Sequence, residues 1–164
     1  METAVIIDTI RTPLGRRNGK LKEWHAVDLA AETLKALVSR TGIDPALIDD
    51  VIMGCVTQAG QQAMQVGRNA VLAAKNIPDS VPAVTIDRQC GSSQQAMQFA
   101  AQAVMSGTMD VVIASGVESM TRVPMGSNAM FHMKEGLGHY KSPRLDEKYP
   151  GIMFSQFMGA EMIV

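Results

Sequence analysis

The chain has 164 residues, room for one domain with a real core or one domain plus a small appendage. Hydrophobic residues make up 46% and charged residues 19%, which excludes a disordered chain. A net charge of −1 gives no basis for binding nucleic acid or an anionic membrane. Cys55 and Cys90 make neither a disulfide framework nor a CxxC pair. The chain starts directly into apolar Ala4-Val5-Ile6-Ile7 without a signal-like basic start, and no apolar run would span a bilayer. A reducing, cytoplasmic compartment is the expectation.

In chain order, Val5 to Ile7 reads as a first buried strand, and Arg11-Thr12-Pro13-Leu14-Gly15 as a turn. Arg16 to Lys20 is a basic connection. Val27 to Arg40 is an amphipathic helix with Leu29, Ala30, Leu34, Leu37 and Val38 on its stripe and Gly42 beyond its end. Val51 to Met53 is a second strand, Gln65 to Ala74 a second helix, Val84 to Ile86 a third strand. Gly91 to Ser106 is a third helix, with Ala96, Ala100, Ala103 and Val104 at helical spacing, and Val111 to Ala114 a fourth strand. Short apolar strands alternating with helices predict an α/β fold with a parallel or mostly parallel sheet covered on both faces. From Glu118 to Gly151 no periodicity remains, so a lid or a loop-built subdomain is expected there. Phe154 to Val164 reads as a last helix without a closing cap, as in the front part of a longer protein.

The chemistry-bearing stretch is Asp87-Arg88-Gln89-Cys90-Gly91-Ser92-Ser93-Gln94-Gln95-Ala96. It puts a cysteine between an apolar strand and the start of a helix. There the unpaired N–H groups and the helix dipole stabilise negative charge on sulfur and can hold the oxyanion formed when a carbonyl is attacked. A small packed hydrophobe fits the same location. Other motifs carry less. Gly15-Arg16-Arg17-Asn18-Gly19-Lys20 misses the phosphate-loop spacing, and Leu21 stands where Ser or Thr is required. No GxGxxG and no HExxH occurs, and nothing in the sequence suggests a metal. His25 precedes a helix and reads as a cap; His132 and His139 lie in the irregular segment. Cys55 reads as a packed strand-end cysteine. Glu118, just past the fourth strand, reads as a structural carboxylate before a site carboxylate. The thirteen methionines are chiefly gap fillers, with a pocket role left open for Met120 to Met133.

Four segments in order resemble the N-terminal half of thiolases, the acyl-CoA acetyltransferases: Arg11-Thr12-Pro13-Leu14-Gly15, Gly54-Cys55-Val56-Thr57-Gln58, Cys90 to Ala96, and Gly116-Val117-Glu118-Ser119-Met120-Thr121. The resemblance covers about Ala4 to Val164. It implies a layered α/β/α half with a mixed, mostly parallel sheet over residues 1–118 and the start of an inserted loop domain over 119–164. It implies that Cys90 is the acyl-accepting nucleophile, with its own N–H in an oxyanion hole. It implies acyl-CoA and CoA as substrates, no permanently bound cofactor, no metal, and a dimer or tetramer as the whole protein. The family's Gly-His-Pro and Cys-x-Gly motifs, which supply the remaining catalytic groups, do not occur in these residues. On this resemblance the 164 residues alone are inactive or reactive only as a thiol. Ser155-Gln156-Phe157-Met158-Gly159-Ala160-Glu161 departs from the His-Met-Gly segment of many biosynthetic thiolases. Matching Ala160-Glu161 to the family's helix displaces Met158 from that methionine's position, so packing on a helix face is at least as good a reading of Met158 as a pocket residue. A condensing enzyme of the ketosynthase type and a non-catalytic assembly subunit are the competing readings.

Overall fold

A computed structural model describes residues 3–163; the ends of the two expected domains at Met1 and Val164 lie outside the described residues. The chain divides into two compact units, 1–128 and 129–164.

In the first unit, helix α1 (Ala26–Thr41) begins at His25, whose Nδ1 accepts from the Val27 N–H, and ends at Gly42 in the left-handed conformation at φ 65. Strand β1 (Asp50–Gly54), helix α2 (Val66–Ala73), strand β2 (Ala83–Ile86), helix α3 (Ser92–Met105) and strand β3 (Val112–Gly116) follow. Each lies within a few residues of its expected place. The strands form one parallel sheet in the order β2-β1-β3. Ile52 stands opposite Val84 on one side and Ala114 on the other.

Period-two alternation along β1 sends side chains to both faces. Val51 and Met53 join Leu34, Val38, Val66 and Val71 in the larger core beneath α1 and α2. Ile52 joins Ala96 and Ala100 of α3 in a smaller core on the opposite face. Alanines at the α3 contact let that helix lie close to the sheet, and the result is the expected α/β/α layering.

Two expectations are corrected. Val5 to Ile7 form no strand: the three side chains are 73%, 68% and 72% exposed, and no ladder partner faces them among the described residues. An apolar run needs a neighbouring strand and a covered face to become a strand, and it has neither here. The segment from Glu118 to Gly151 is not without regular structure. Helix α4 (Ser127–Lys134) and helix α5 (Pro143–Lys148) form in it, neither with a buried residue. Without a core face they leave no apolar stripe to read. α5 is set instead by a local signal, Pro143 in its first turn and the Ser142 hydroxyl accepting from the Leu145 N–H.

In the second unit, Lys141 Nζ pairs with Asp146 Oδ1 at 2.5 Å, donates to the Ile152 carbonyl at 3.0 Å and lies 5.5 Å from the Phe154 ring centroid. Tyr149 meets Phe154 edge-on at 5.5 Å. Helix α6 (Gln156–Glu161) covers six residues of the expected last helix. No helix among the described residues is long and apolar enough to cross a membrane.

Candidate active site

The carboxyl ends of parallel strands are where an α/β sheet leaves room for a ligand. Here the ends of β1, β2 and β3 carry Cys55-Val56-Thr57, Asp87-Arg88-Gln89-Cys90 and Val117-Glu118-Ser119. Gly54 and Gly116 are ladder partners at the last register position. A Cβ on Gly54 would lie 2.4 Å from the Ser93 nitrogen and 2.5 Å from the Ser92 carbonyl carbon. A Cβ on Gly116 would lie 2.8 Å from Ser93 Cβ. Two neighbouring glycines thus make a flat seat, and the first turn of α3 rests on it.

Cys90 sits two residues before that turn, exposed and free. Its segment is a tight turn. The Gly91 N–H donates to the Arg88 carbonyl and the Ser92 N–H to the Gln89 carbonyl, both at 3.0 Å. Ser92 Oγ accepts from the Arg88 N–H at 2.9 Å and donates to the Gln89 carbonyl at 2.6 Å. Asp87 Oδ1 accepts from the Gln89 N–H at 2.6 Å. Gln89 takes φ 47, a left-handed conformation held by these bonds at a cost of about 1–3 kcal/mol. Strain of this kind beside an exposed thiol marks a position fixed by its surroundings. The N–H of Cys90 itself has no acceptor among the described residues.

Cys55 is a contrasting thiol. It is buried, and burial, with the carboxylates of Glu118 and Asp87 nearby, pushes its pKa up to about 12. It remains a protonated packing group, as the sequence implied.

Glu118 is a fastening carboxylate. Oε2 accepts from the Val56 N–H at 2.8 Å, and Oε1 from the Thr57 N–H at 3.3 Å and from Gln62 Nε2 at 2.9 Å. Gln62 is fully buried. Its Nε2 also donates to the Thr57 carbonyl at 2.8 Å, and its Oε1 accepts from the Ser119 N–H at 2.6 Å. Sequence reasoning missed Gln62, because one glutamine among Gln58, Gln61, Gln62 and Gln65 carries no distinguishing signal.

The remaining candidates lie elsewhere. His25 is the α1 cap. In the second unit, His132 and His139 are exposed, and His139 stacks on Tyr140. Met158 lies in α6 at 53% exposure. A cavity of about 670 Å³ opens between Leu14 to Leu21, α1 and the Val117 to Met125 segment, with Met120 and Met125 in its wall. Cys90 lies outside it. No cluster of three or more metal-ligating side chains occurs among the described residues.

Comparison with known proteins agrees with this geometry. Residues 4–161 match the family described as Thiolase, N-terminal domain. The steroid 3-ketoacyl-CoA thiolase FadA6 of Mycobacterium tuberculosis is 46% identical over 168 aligned positions, covering 99% of this chain and 40% of that protein. A 3-ketoacyl-CoA thiolase of Pseudoalteromonas translucida is 49% identical, covering 80% of this chain and 34% of that protein. The crystal structure of the Bacillus anthracis acetyl-CoA acetyltransferase superposes with a TM-score of 0.68 at 40% identity, over 73% of this chain and 30% of that one. The chain thus spans 34–40% of the length of these curated relatives. The family match over nearly all its residues, and relatives alike in sequence and in fold, make this chain a member of the thiolase family, corresponding to its N-terminal part.

Proposed function

We propose that this chain supplies the nucleophile-bearing part of an acyl-CoA acyltransferase and that Cys90 is the acyl-accepting group. The observation that carries the reading is the position of Cys90: exposed, at the carboxyl end of the sheet, in a strained turn that α3 and the two glycines hold in place.

In the cleavage direction, the Cys90 thiolate attacks the keto carbon of a 3-ketoacyl-CoA. The oxyanion that forms collapses, the bond between that carbon and the next breaks, and the departing enolate takes a proton and leaves as acetyl-CoA. The acyl group stays on sulfur. The thiolate of free CoA then attacks this thioester, Cys90 is released, and a shortened acyl-CoA departs. In the condensing direction, the Cys90 thiolate first attacks acetyl-CoA, takes its acetyl group and expels CoA. A second acetyl-CoA loses a proton at its methyl carbon and attacks that thioester, which releases the Cys90 thiolate and a 3-ketoacyl-CoA. The Cys90 N–H supplies an oxyanion donor at no reorganisation cost. Proton transfer needs groups that neither Cys55, held as a thiol, nor Glu118, bound to three donors, provides.

On this reading residues 1–118 form the catalytic half and 119–164 the start of a loop domain, in which Met158 is a candidate pocket residue. CoA and acyl-CoA are substrates, and no cofactor is held permanently. The 164 residues alone perform no complete turnover, and the whole protein works as a soluble cytoplasmic dimer or tetramer.

Intact-mass analysis after brief treatment with acetyl-CoA, and separately with iodoacetamide, tests the assignment. An acetyl adduct and a fast carbamidomethyl adduct both mapping to Cys90, with Cys55 unlabelled, are expected. Equal labelling of the two cysteines, or labelling of Cys55 first, removes Cys90 from the nucleophile role.

A further inference from the structure

The link between β1 and β3 beyond the glycine seat carries more than local loop structure. Val56 and Thr57 leave β1, and Glu118 and Ser119 leave β3. Glu118 binds both N–H groups of the first pair, and Gln62 spans the gap from the Thr57 carbonyl to the Ser119 N–H. Every polar atom of the Gln62 amide is engaged, in a side chain with no exposure to solvent. Immediately below, the Val117 N–H donates to the Gly54 carbonyl at 3.0 Å, closing the ladder at the glycine pair. The separation of the two strand ends is therefore fixed by side chains just above the surface on which Ser92 and Ser93 rest. The clearances there leave no slack: a single added methyl on Gly54 would meet backbone at 2.4 Å.

We infer that Glu118 and Gln62 are a positioning pair for Cys90. They hold the ends of β1 and β3 at the spacing that seats the first turn of α3, and through that turn they fix the thiol. Neither touches the reacting atoms. The inference rests on the assignment of Cys90 as nucleophile for its functional meaning, but the mechanical coupling stands apart from it.

The test is hydrogen exchange by mass spectrometry on the full 164-residue chain, comparing wild type, Glu118→Ala, Glu118→Gln and Gln62→Ala, with iodoacetamide labelling of Cys90 on the same samples. Losing charge-assisted hydrogen bonds at one end of the link is expected to speed exchange about tenfold or more at residues 55–58 and also at Gly91, Ser92 and Gln95, whose N–H bonds hold the turn and the start of α3 without touching Glu118. Residues 26–41 keep wild-type protection. The rate of Cys90 alkylation changes in Glu118→Ala and Gln62→Ala, and returns part of the way in Glu118→Gln, which keeps one acceptor oxygen. If Glu118→Ala does not fold, Glu118→Gln and Gln62→Ala give the same comparison at smaller amplitude. Faster exchange confined to residues 55–58, or spread evenly over the whole unit, overturns the positioning role. A wild-type Cys90 that alkylates no faster than Cys55, while Gly91, Ser92 and Gln95 still respond to Glu118→Ala, overturns the nucleophile assignment and leaves the coupling intact.

Discussion

Replacing Gly54 by alanine should be the most damaging single-methyl change in the sheet. The new Cβ would approach the Ser93 nitrogen to 2.4 Å and the Ser92 carbonyl carbon to 2.5 Å, where ordinary contact begins at 3.4 Å. The start of α3 must therefore lift by about 1 Å, because both clashing atoms are backbone and no side chain can swing aside. Lifting the helix opens the contact of Ala96 and Ala100 with Ile52, the whole buried core on that face. Overpacking commonly costs about 1–3 kcal/mol, and a backbone-to-backbone clash belongs at the upper end, about 3 kcal/mol. In urea this lowers the unfolding midpoint by roughly 1.5–2 M for a unit of this size. Two further glycines grade the effect. Gly116→Ala meets Ser93 Cβ at 2.8 Å, a smaller conflict with a side chain, and should cost about 1–2 kcal/mol. Gly42→Ala meets nothing within 4 Å and carries only the left-handed φ of 65, about 1 kcal/mol. Urea titrations followed by circular dichroism at 222 nm read all three. A Gly54→Ala chain as stable as Gly42→Ala would refute the reasoning that the two strand ends form a closed seat.

Cys55 gives a pH signature. Its folded pKa of about 12 lies above the ordinary 9.0, so the unfolded chain loses this proton first. The stabilisation is fully present below pH 9 and is lost as pH rises from 9 towards 12, by up to about 1.4 kcal/mol per unit. Unfolding free energies from pH 8 to 11 should fall more steeply for wild type than for Cys55→Ala; parallel slopes would contradict the assignment. At Gln89, Val should destabilise by about 1–2 kcal/mol despite the exposed position, while Gly and Asn are tolerated, because a branched Cβ resists φ 47. Thermal melts of the three variants decide it, and a neutral Gln89→Val would dismiss the strain. Lys141→Met should loosen the second unit by less than about 1 kcal/mol, since Asp146 stays solvent-accessible, leaving the exchange of residues 26–41 untouched. Accelerated exchange in α1 would count against an independent local cluster.

The legible parts of the fold were those whose signal is local or periodic. α1 announced itself by its apolar stripe and its Gly42 stop, and β1 and β3 by short apolar runs. Val5 to Ile7 has the same composition but forms no strand, because strand identity is settled by a hydrogen-bonding partner that a residue run does not encode. α4 and α5 escaped for the opposite reason. They bury nothing, so the cue that identifies most helices is missing, and only the Ser142-Pro143 start was there to be read.

The candidate site divides along the same line. The place of Cys90 follows from a strand, a turn and a helix that are contiguous in sequence. What holds that turn does not. Val56 and Glu118 meet across 62 positions, and Gln62 and Glu118 across 56. No pattern in either segment names the other. A carboxylate past a strand end offers two readings, a group that handles protons and a group that fastens backbone, and residue type does not separate them. The hydrogen-bond count does. Three donors on two oxygens leave the side chain in one place, fastened to the backbone of β1 and to Gln62. Burial first, and then the Glu118 carboxylate alongside, keep the sulfur of Cys55 protonated. Glu118 thus adds to the burial that suppresses ionisation at Cys55 while its grip on Val56 and Thr57 fastens the end of β1. Two cysteines at neighbouring strand ends thus stand in opposite settings, one buried beside a carboxylate and one exposed on a turn.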